Sequence, residues 1–164
     1  MVLSYTRNKY ATTTDLADGS LLVQAVLKDT FFAGTVEMKV SVPELEIASL
    51  TGKVERAFNS ECQEAVPLLQ KAVGLQIGTG ILKAVNGLVG GSGGCPRLAD
   101  LILECIDEVV LRFTLPSIGE KQSKNEQEQI EAYRELIRQH PRLIGSCIAF
   151  AKDSPLLKGL ELEK

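Results

Sequence analysis

The sequence contains a single histidine, His140, and no two of its cysteines form a Cys-x-x-Cys pair. A Ser-His-Asp arrangement could use only this one histidine, and a metal site with several histidine ligands is excluded by the count. The missing cysteine pair also disfavours a zinc ribbon and a thioredoxin-type redox site. We do not expect histidine-based catalysis, and we expect His140, which precedes Pro141, to be a surface residue at a helix end.

The sequence also lacks a basic cluster and a long apolar run. Lysine and arginine are scattered, and the formal net charge is −3, so no nucleic-acid partner is expected. No apolar run reaches the length of a membrane span. The opening decapeptide MVLSYTRNKY lacks the apolar centre of a signal peptide. These absences predict a cytoplasmic protein with no membrane partner.

The chain does have the composition of a globular protein that can bury a core. Its 164 residues are 45% apolar and 24% charged. The segment TVEMKVSV alternates apolar and polar residues, with Val36, Met38 and Val40 on one side. LLVQAVLKDTFF, LEIASL and KVERAF have strand character too, with Thr51-Gly52 separating the last two. The first 58 residues therefore predict three or four antiparallel strands, with the Thr-rich start as an edge strand or a loose arm.

After Phe58 the apolar spacing changes to a helical period. Ser60 and Gln63 are spaced as a capping box, and Pro67 fits the first turn of a helix that starts near Val66. Further helices are predicted from about residue 81, from Pro96 to about residue 113, over residues 129–140, and as a short helix over residues 141–152. This order predicts the α+β class, with helices on one face of an antiparallel sheet. We expect an α+β domain over residues 1–116 and a helical extension, packed on that domain, over residues 117–164.

Two of the four cysteines are placed where chemistry is conceivable. Cys105 and Cys147 lie on apolar helical stripes and are expected to pack as small buried residues. Cys95 follows the stretch GGSGG and precedes Pro96 at a helix start, where the macrodipole favours a thiolate. Cys62 also lies at a junction between strand and helix. In a reducing cytosol all four are expected to be thiols.

The glycines before Cys95 are a weak match to a phosphate-binding loop. No lysine followed by serine or threonine comes after the last glycine, and Pro96 has no amide N–H to offer an anion. Two interpretations of the thiols stay open. Cys62 and Cys95 converge at one end of the sheet, or they pack separately and never meet.

These residues resemble the NifU/IscU iron–sulfur scaffold fold, which also houses the SufE sulfur acceptors. The resemblance runs from about residue 34 to about residue 110, through GTVEMKV, VERAF, Cys62 before a helix, and GCPRLADLILECI. The sequence more closely resembles an uncharacterised bacterial domain family. Its pattern is Cys-x-x-Ala-x-x-Pro-Leu, then Val-Gly, then Gly-Cys-x-x-Leu, which falls here on Cys62, Ala65, Pro67, Leu68, Val73, Gly74, Gly94, Cys95 and Leu98.

The ligand set that the scaffold resemblance implies is incomplete in this chain. The scaffold's second and third cysteines match Cys62 and Cys95, but its first falls on Ala33. Its acidic residue falls on Thr35 and its histidine on Gly94. A four-ligand iron–sulfur or zinc site needs more donors than the two sulfurs that are left, so a second copy or a partner protein has to supply them.

Three functions follow from these observations. The first is a non-catalytic, scaffold-like protein that binds a metal or a partner, with Cys62 and Cys95 as metal ligands and the cofactor open between an iron–sulfur cluster and zinc. The second is an interaction module, for a protein partner or a homodimer, in which the cysteines are only structural. The third is a sulfur-transfer or redox thiol protein with Cys95 as the nucleophile.

Overall fold

The structure is a computed structural model that describes residues 4–114, 125–139 and 141–158. It opens with four strands, β1 (Arg7–Asp15), β2 (Leu21–Asp29), β3 (Ala33–Ser41) and β4 (Glu46–Arg56). They form one antiparallel sheet in which the strand order follows the chain order. The predicted turn at residues 17–20 joins β1 to β2, and Gly19 in it has a positive φ of 80° that favours glycine.

One face of this sheet is apolar and carries the core. On β3, Val36, Met38 and Val40 are fully buried, while the residues between them are partly exposed, as the alternation predicts. β2 places Val23 and Ala25 on the same face, because these residues pair with β3 in register. The other face of the sheet is largely polar, with exposed positions at Lys28, Thr51 and Lys53.

The strand β4 corrects one detail of the prediction. Thr51-Gly52 was expected to divide two strands, but β4 is continuous from Glu46 to Arg56 and Gly52 pairs with Val36. A Cβ added to Gly52 would lie 2.5 Å from Cδ1 of Leu69. The glycine therefore provides room for Leu69 to pack on the sheet.

The helical part of the chain begins directly after the sheet. It contains α1 (Glu61–Glu64), a 3-10 helix (Val66–Ala72), α2 (Ile81–Leu88), α3 (Pro96–Thr114), α4 (Glu126–Gln139) and two 3-10 turns (Pro141–Leu143 and Ile148–Phe150). No helix in the described ranges is long and apolar enough to cross a membrane.

Two local predictions after β4 are wrong in detail. The capping box at Ser60 does not form, because Ser60 itself has helical φ and ψ of −59° and −33° and its side chain makes no capping bond. The helix that starts at Val66 is present with Pro67 in its first turn, but it is a 3-10 helix. Proline has no N–H and suits a first turn better than a long regular helix.

The long helix α3 covers the apolar face of the sheet. It begins at Pro96 as predicted, and its buried stripe of Leu98, Leu101, Ile102 and Cys105 belongs to the same core as β2 and β3. An ion pair between Lys9 of β1 and Glu104 of α3 joins the middle of the helix to the edge of the sheet. The α+β class is therefore confirmed, with four strands.

The chain divides into two compact units, Met1–Leu111 and Arg112–Lys164. Within the second unit, α4 buries Leu136 and Ile137. Arg134 on the same helix donates to the backbone carbonyl of Leu156 at 3.2 Å and to that of Lys158 at 2.8 Å. The segment after α4 is held by these bonds.

The prediction for Cys147 is wrong. No helix runs through it, since its backbone is extended with φ −156° and ψ 175°, and its side chain is exposed. The two 3-10 turns lie on either side of it, and Gly145 between them has a positive φ of 79°. The break at Gly145 ends the helical period that the apolar residues suggested.

Candidate functional site

An aspartate on the core face of the sheet marks the end of β2. Side chains alternate along a strand, so Asp29 points the same way as Val23, Ala25 and Leu27. Its side chain is fully buried. A buried carboxylate needs hydrogen bonds and a cationic partner, because its desolvation is otherwise too costly.

Five groups satisfy the Asp29 carboxylate. Its Oδ1 accepts hydrogen bonds from the backbone N–H of Phe31 at 2.9 Å and of Phe32 at 2.7 Å. Its Oδ2 accepts one from the hydroxyl of Tyr5 at 3.0 Å and one from the guanidinium of Arg7 at 3.1 Å. The guanidinium of Arg97 lies 3.2 Å from the same oxygen.

This environment keeps Asp29 ionised. Burial alone raises the pKa of the carboxyl, but the N–H groups of Phe31 and Phe32, the Tyr5 hydroxyl and Arg7 outweigh burial and lower the pKa of Asp29 to about 2. The dominant favourable contribution is hydrogen bonding to the charged form. The carboxylate is therefore a fixed negative charge at neutral pH, with no proton to exchange, and it is suited to positioning other groups.

The cluster joins elements that are distant in the chain. Tyr5 and Arg7 come from the start of the chain and Arg97 from the first turn of α3. Arg56 at the end of β4 donates to the backbone carbonyl of Asp29 at 2.7 Å. Thr30 binds the chain start further, because its hydroxyl accepts from the N–H of Thr6 and its own N–H donates to the Thr6 carbonyl. One end of the sheet is thus tied together around Asp29.

Aromatic rings lie on the surface beside these arginines. Tyr5, Phe31 and Phe58, which we call the aromatic surface, are all exposed, and Phe58 is 90% exposed. The ring centroids of Tyr5 and Phe31 are 6.3 Å apart, and those of Phe31 and Phe58 are 6.5 Å apart. The Arg7 guanidinium lies 5.6 Å from the centre of the Tyr5 ring, within the range of a cation–π interaction.

The glycine stretch before Cys95 forms a tight turn. The N–H of Gly94 donates to the Gly91 carbonyl and the N–H of Cys95 donates to the Val89 carbonyl, both at 2.8 Å. A Cβ on Gly94 would lie 2.0 Å from the Val89 oxygen, so this position requires glycine. The turn uses these two amides internally, which removes them as ligands for a phosphate.

The four cysteines are free thiols that differ in exposure. Cys95 is 6% exposed and belongs to the core, although it lies only two residues before Arg97. Cys62 lies on α1 and is half-buried. Cys105 is fully buried and its thiol lies 3.9 Å from the Val23 carbonyl oxygen. Burial raises the pKa of Cys105 to about 12, which makes it inert at neutral pH.

No group of three or more His, Cys, Asp or Glu side chains that could hold a metal ion is present among the residues that the structure describes. Cys62 and Cys95 as metal ligands therefore stay a prediction. His140 lies outside the described residues.

Sequence reasoning missed the Asp29 cluster and the aromatic surface. The sequence does contain one sign of the buried carboxylate. Asp29 continues the inward-facing series on β2, which consists of Leu21, Val23, Ala25 and Leu27. A carboxylate at such a position implies a cationic partner. The partners of Asp29 could not be predicted from the sequence, since Arg7 and Arg97 lie far from Asp29 in the chain.

The middle of the chain matches a protein-family model. Residues 31–110 match a family model described as a protein of unknown function (DUF2889). The matched range contains Phe31, Arg56, Phe58 and Arg97, together with Cys62 and Cys95. No curated protein matches the chain. No solved structure matches it.

Proposed function

We propose that this protein is a non-catalytic interaction module that binds a protein partner at the Asp29 end of its sheet. The observation that carries the proposal is the exposed aromatic surface of Tyr5, Phe31 and Phe58 beside arginines that a buried carboxylate holds in place. Tyrosine and arginine dominate the energetics of protein interfaces, and aromatic residues are enriched in their centres. The cysteines are structural in this function.

The burial of Cys95 favours this function over sulfur transfer. A nucleophilic cysteine has to reach its substrate, and Cys95 is 6% exposed within the core. Labelling with a maleimide at about pH 8 tests this point, because thiolate and exposure together set the rate. Cys147 and Cys62 are expected to react quickly, and Cys95 and Cys105 slowly. Rapid labelling of Cys95 in the folded protein would favour the sulfur-transfer function.

The iron–sulfur interpretation and the NifU/IscU-like fold stay predictions. The test of metal binding is anaerobic reconstitution with iron and sulfide, or with zinc, followed by metal analysis. A Cys62→Ser/Cys95→Ser double variant is the control. Metal bound at a fixed ratio by the wild type and lost in the double variant would favour the scaffold function over the interaction module.

A binding selection tests the interaction module. Short random peptides are displayed on phage and selected on the wild-type protein, and the enriched peptides are then measured by fluorescence polarisation. Phe31→Ser is expected to weaken the binding of the enriched peptides at least about tenfold. This is the usual effect of removing an aromatic residue from the centre of an interface. Tyr10→Ser is the matched control, because Tyr10 and Phe31 are both 53% exposed and Tyr10 lies on the opposite face of β1 from Arg7. No enrichment, or equal losses in both variants, would contradict the proposal.

A further inference from the structure

We propose that the partner segment bound at the aromatic surface is acidic, with its carboxylates on the guanidinium groups of Arg7 and Arg97 and its apolar side chains on Phe31 and Phe58. The inference rests on the proposed function and adds the chemistry of the ligand. It follows from three properties of the Asp29 end of the sheet: unused hydrogen-bond donors, an excess of positive charge, and fixed positions.

The first property is the number of free donors. A guanidinium has five N–H groups. The contacts of Arg7 and of Arg97 with Asp29 each use one nitrogen, at 3.1 Å and 3.2 Å from the same carboxylate oxygen. Both arginine side chains are partly exposed. Each therefore keeps N–H groups that can form a bidentate pair with a carboxylate from solution.

The second property is charge. Arg7 and Arg97 contact the Asp29 carboxylate, and Arg56 donates to the backbone carbonyl of Asp29, so three positive groups lie near one negative group. The chain as a whole carries a formal net charge of −3. The cluster is thus a local positive region on an acidic protein. Charge complementarity selects an acidic partner and disfavours a basic one.

The third property is rigidity. Asp29 is fully buried and holds both guanidinium groups from within the fold, and Tyr5 is fixed by its bond to the same carboxylate. Side chains that are already ordered lose less conformational entropy when they bind a ligand. A partner therefore meets two oriented arginines next to two exposed phenylalanine rings.

Single-stranded nucleic acid is the other ligand with negative charge and flat apolar groups. Such ligands bind a groove of many basic residues that follows the backbone. The cluster consists of three arginines at one end of the sheet, and the net negative charge of the chain repels a polyanion at longer range. An acidic peptide needs only the local cluster, so the cluster favours an acidic peptide over nucleic acid.

The peptide selection described above provides the experiment. The enriched sequences are expected to contain more Asp and Glu than Lys and Arg, together with apolar residues. Replacing each Glu by Gln in the peptide that binds most tightly is expected to lower its affinity at least about tenfold, because a charged hydrogen bond is lost. Raising the NaCl concentration from about 50 to about 500 mM is expected to weaken the binding of the acidic peptide strongly and the binding of its Gln counterpart only a little.

A conservative arginine variant locates the charge contact. Arg97→Lys keeps the positive charge beside Asp29 but loses the planar fork, and it is expected to weaken the acidic peptide about tenfold. Lys39→Gln is the control, since it removes a positive charge at Asp18, away from the cluster. Circular dichroism checks that both variants are folded. If Arg97→Lys does not fold, the salt dependence of the wild type decides the question.

The outcomes separate this inference from the proposed function. Neutral or basic peptides that lose affinity in Phe31→Ser overturn the acidic ligand and leave the interaction module standing. Acidic peptides that bind Phe31→Ser and Tyr10→Ser equally well overturn both. A fluorescent oligo-uridine that binds more tightly than the best peptide, and that loses affinity in Phe31→Ser, replaces the acidic peptide with nucleic acid.

Discussion

Asp18 and Asp29 lie at the two ends of β2 and show how differently one residue type can be used. Asp18 is in the turn before the strand, its side chain is largely exposed, and it binds Lys39 at 2.8 Å as well as Ser20. Asp29 ends the strand, is fully buried, and binds groups from the chain start and from α3. One aspartate closes a turn, and the other joins the chain start, the sheet and α3.

Both carboxyl groups have lowered pKa values, so the pKa does not distinguish the two ends. The hydrogen bond from Lys39, followed by the bonds from Ser20, lowers the pKa of Asp18. At Asp29 the same direction is reached against the effect of burial. What distinguishes Asp29 is the geometry around it, with distant partners and exposed aromatic rings, and this geometry makes its end of the sheet the candidate site.

The largest expected difference between the two ends comes from removing each carboxylate. Asp29→Ala is expected to lower the free energy of unfolding by about 3 kcal/mol, because a buried ion pair loses one partner and two backbone N–H groups lose their acceptor. Asp18→Ala is expected to have only a small effect, since exposed ion pairs contribute little. Urea denaturation monitored by circular dichroism measures both. Similar losses in the two variants would show that the buried and the exposed carboxylate contribute equally to stability.

The next effect concerns the turn that sets the start of α3 and so the place of Arg97. Gly94→Ala is expected to lower the free energy of unfolding by about 2 kcal/mol or more, because its Cβ would overlap the Val89 carbonyl oxygen. Gly93→Ala is the matched control, with no atom within 4 Å of its Cβ position. Thermal denaturation of the two variants checks the difference. A Gly93 variant as unstable as the Gly94 variant would mean that flexibility, and not the close contact, is what the turn requires.

Protonation of Asp29 in acid is expected to lower the free energy of unfolding by less than Asp29→Ala does. The pKa of Asp29 is about 2 in the fold against 3.8 for the free group, so the unfolded chain binds more protons between these values. The stabilisation by Asp29 is therefore complete above about pH 4 and is lost as the pH falls towards 2. Urea denaturation across this range measures it, and Asp29→Asn is expected to show a weaker dependence than the wild type. An equal dependence in both proteins would assign the acid sensitivity to other carboxyl groups.

The smallest effect is that of one hydroxyl group. Tyr5→Phe removes the hydrogen bond to the Asp29 carboxylate and keeps the ring, and it is expected to lower the free energy of unfolding by about 1 kcal/mol. Tyr10→Phe is the control, because Tyr10 points to the open face of the sheet. Chemical denaturation with several repeats resolves a difference of this size. A larger loss in the Tyr10 variant would contradict the role given to the Tyr5 hydroxyl.

The sequence allowed most of the fold to be predicted where the pattern is local. The alternation of Val36, Met38 and Val40 predicted β3, and the spacing of apolar residues after Pro96 predicted α3. The errors occur where a contact between distant segments decides the outcome. Thr51-Gly52 has the composition of a turn, but Gly52 pairs with Val36 inside a continuous β4 and leaves room for Leu69 to pack on the sheet.

The candidate site was harder to predict because its members are far apart in the chain. The sequence motifs point to Cys62, which lies at a junction between strand and helix, and to Cys95, which lies between a glycine stretch and Pro96. The exposed rings of Phe31 and Phe58 carried no motif, and the arginines looked like ordinary scattered charges. Only the fold shows that Arg7 and Arg97 meet at one buried carboxylate and that Arg56 donates to the backbone carbonyl of the same residue.

The order of the strands has a consequence for the way the protein reaches its native state. Each strand pairs with the strand that follows it in the chain, so every ladder of the sheet closes over a short loop. Such pairings cost little loop-closure entropy, and proteins rich in them fold quickly. The docking of α3 needs a much longer loop. We expect the hairpins to form in the folding transition state and α3 to dock after it, so Leu101→Ala should mainly speed unfolding, whereas Val36→Ala should slow folding.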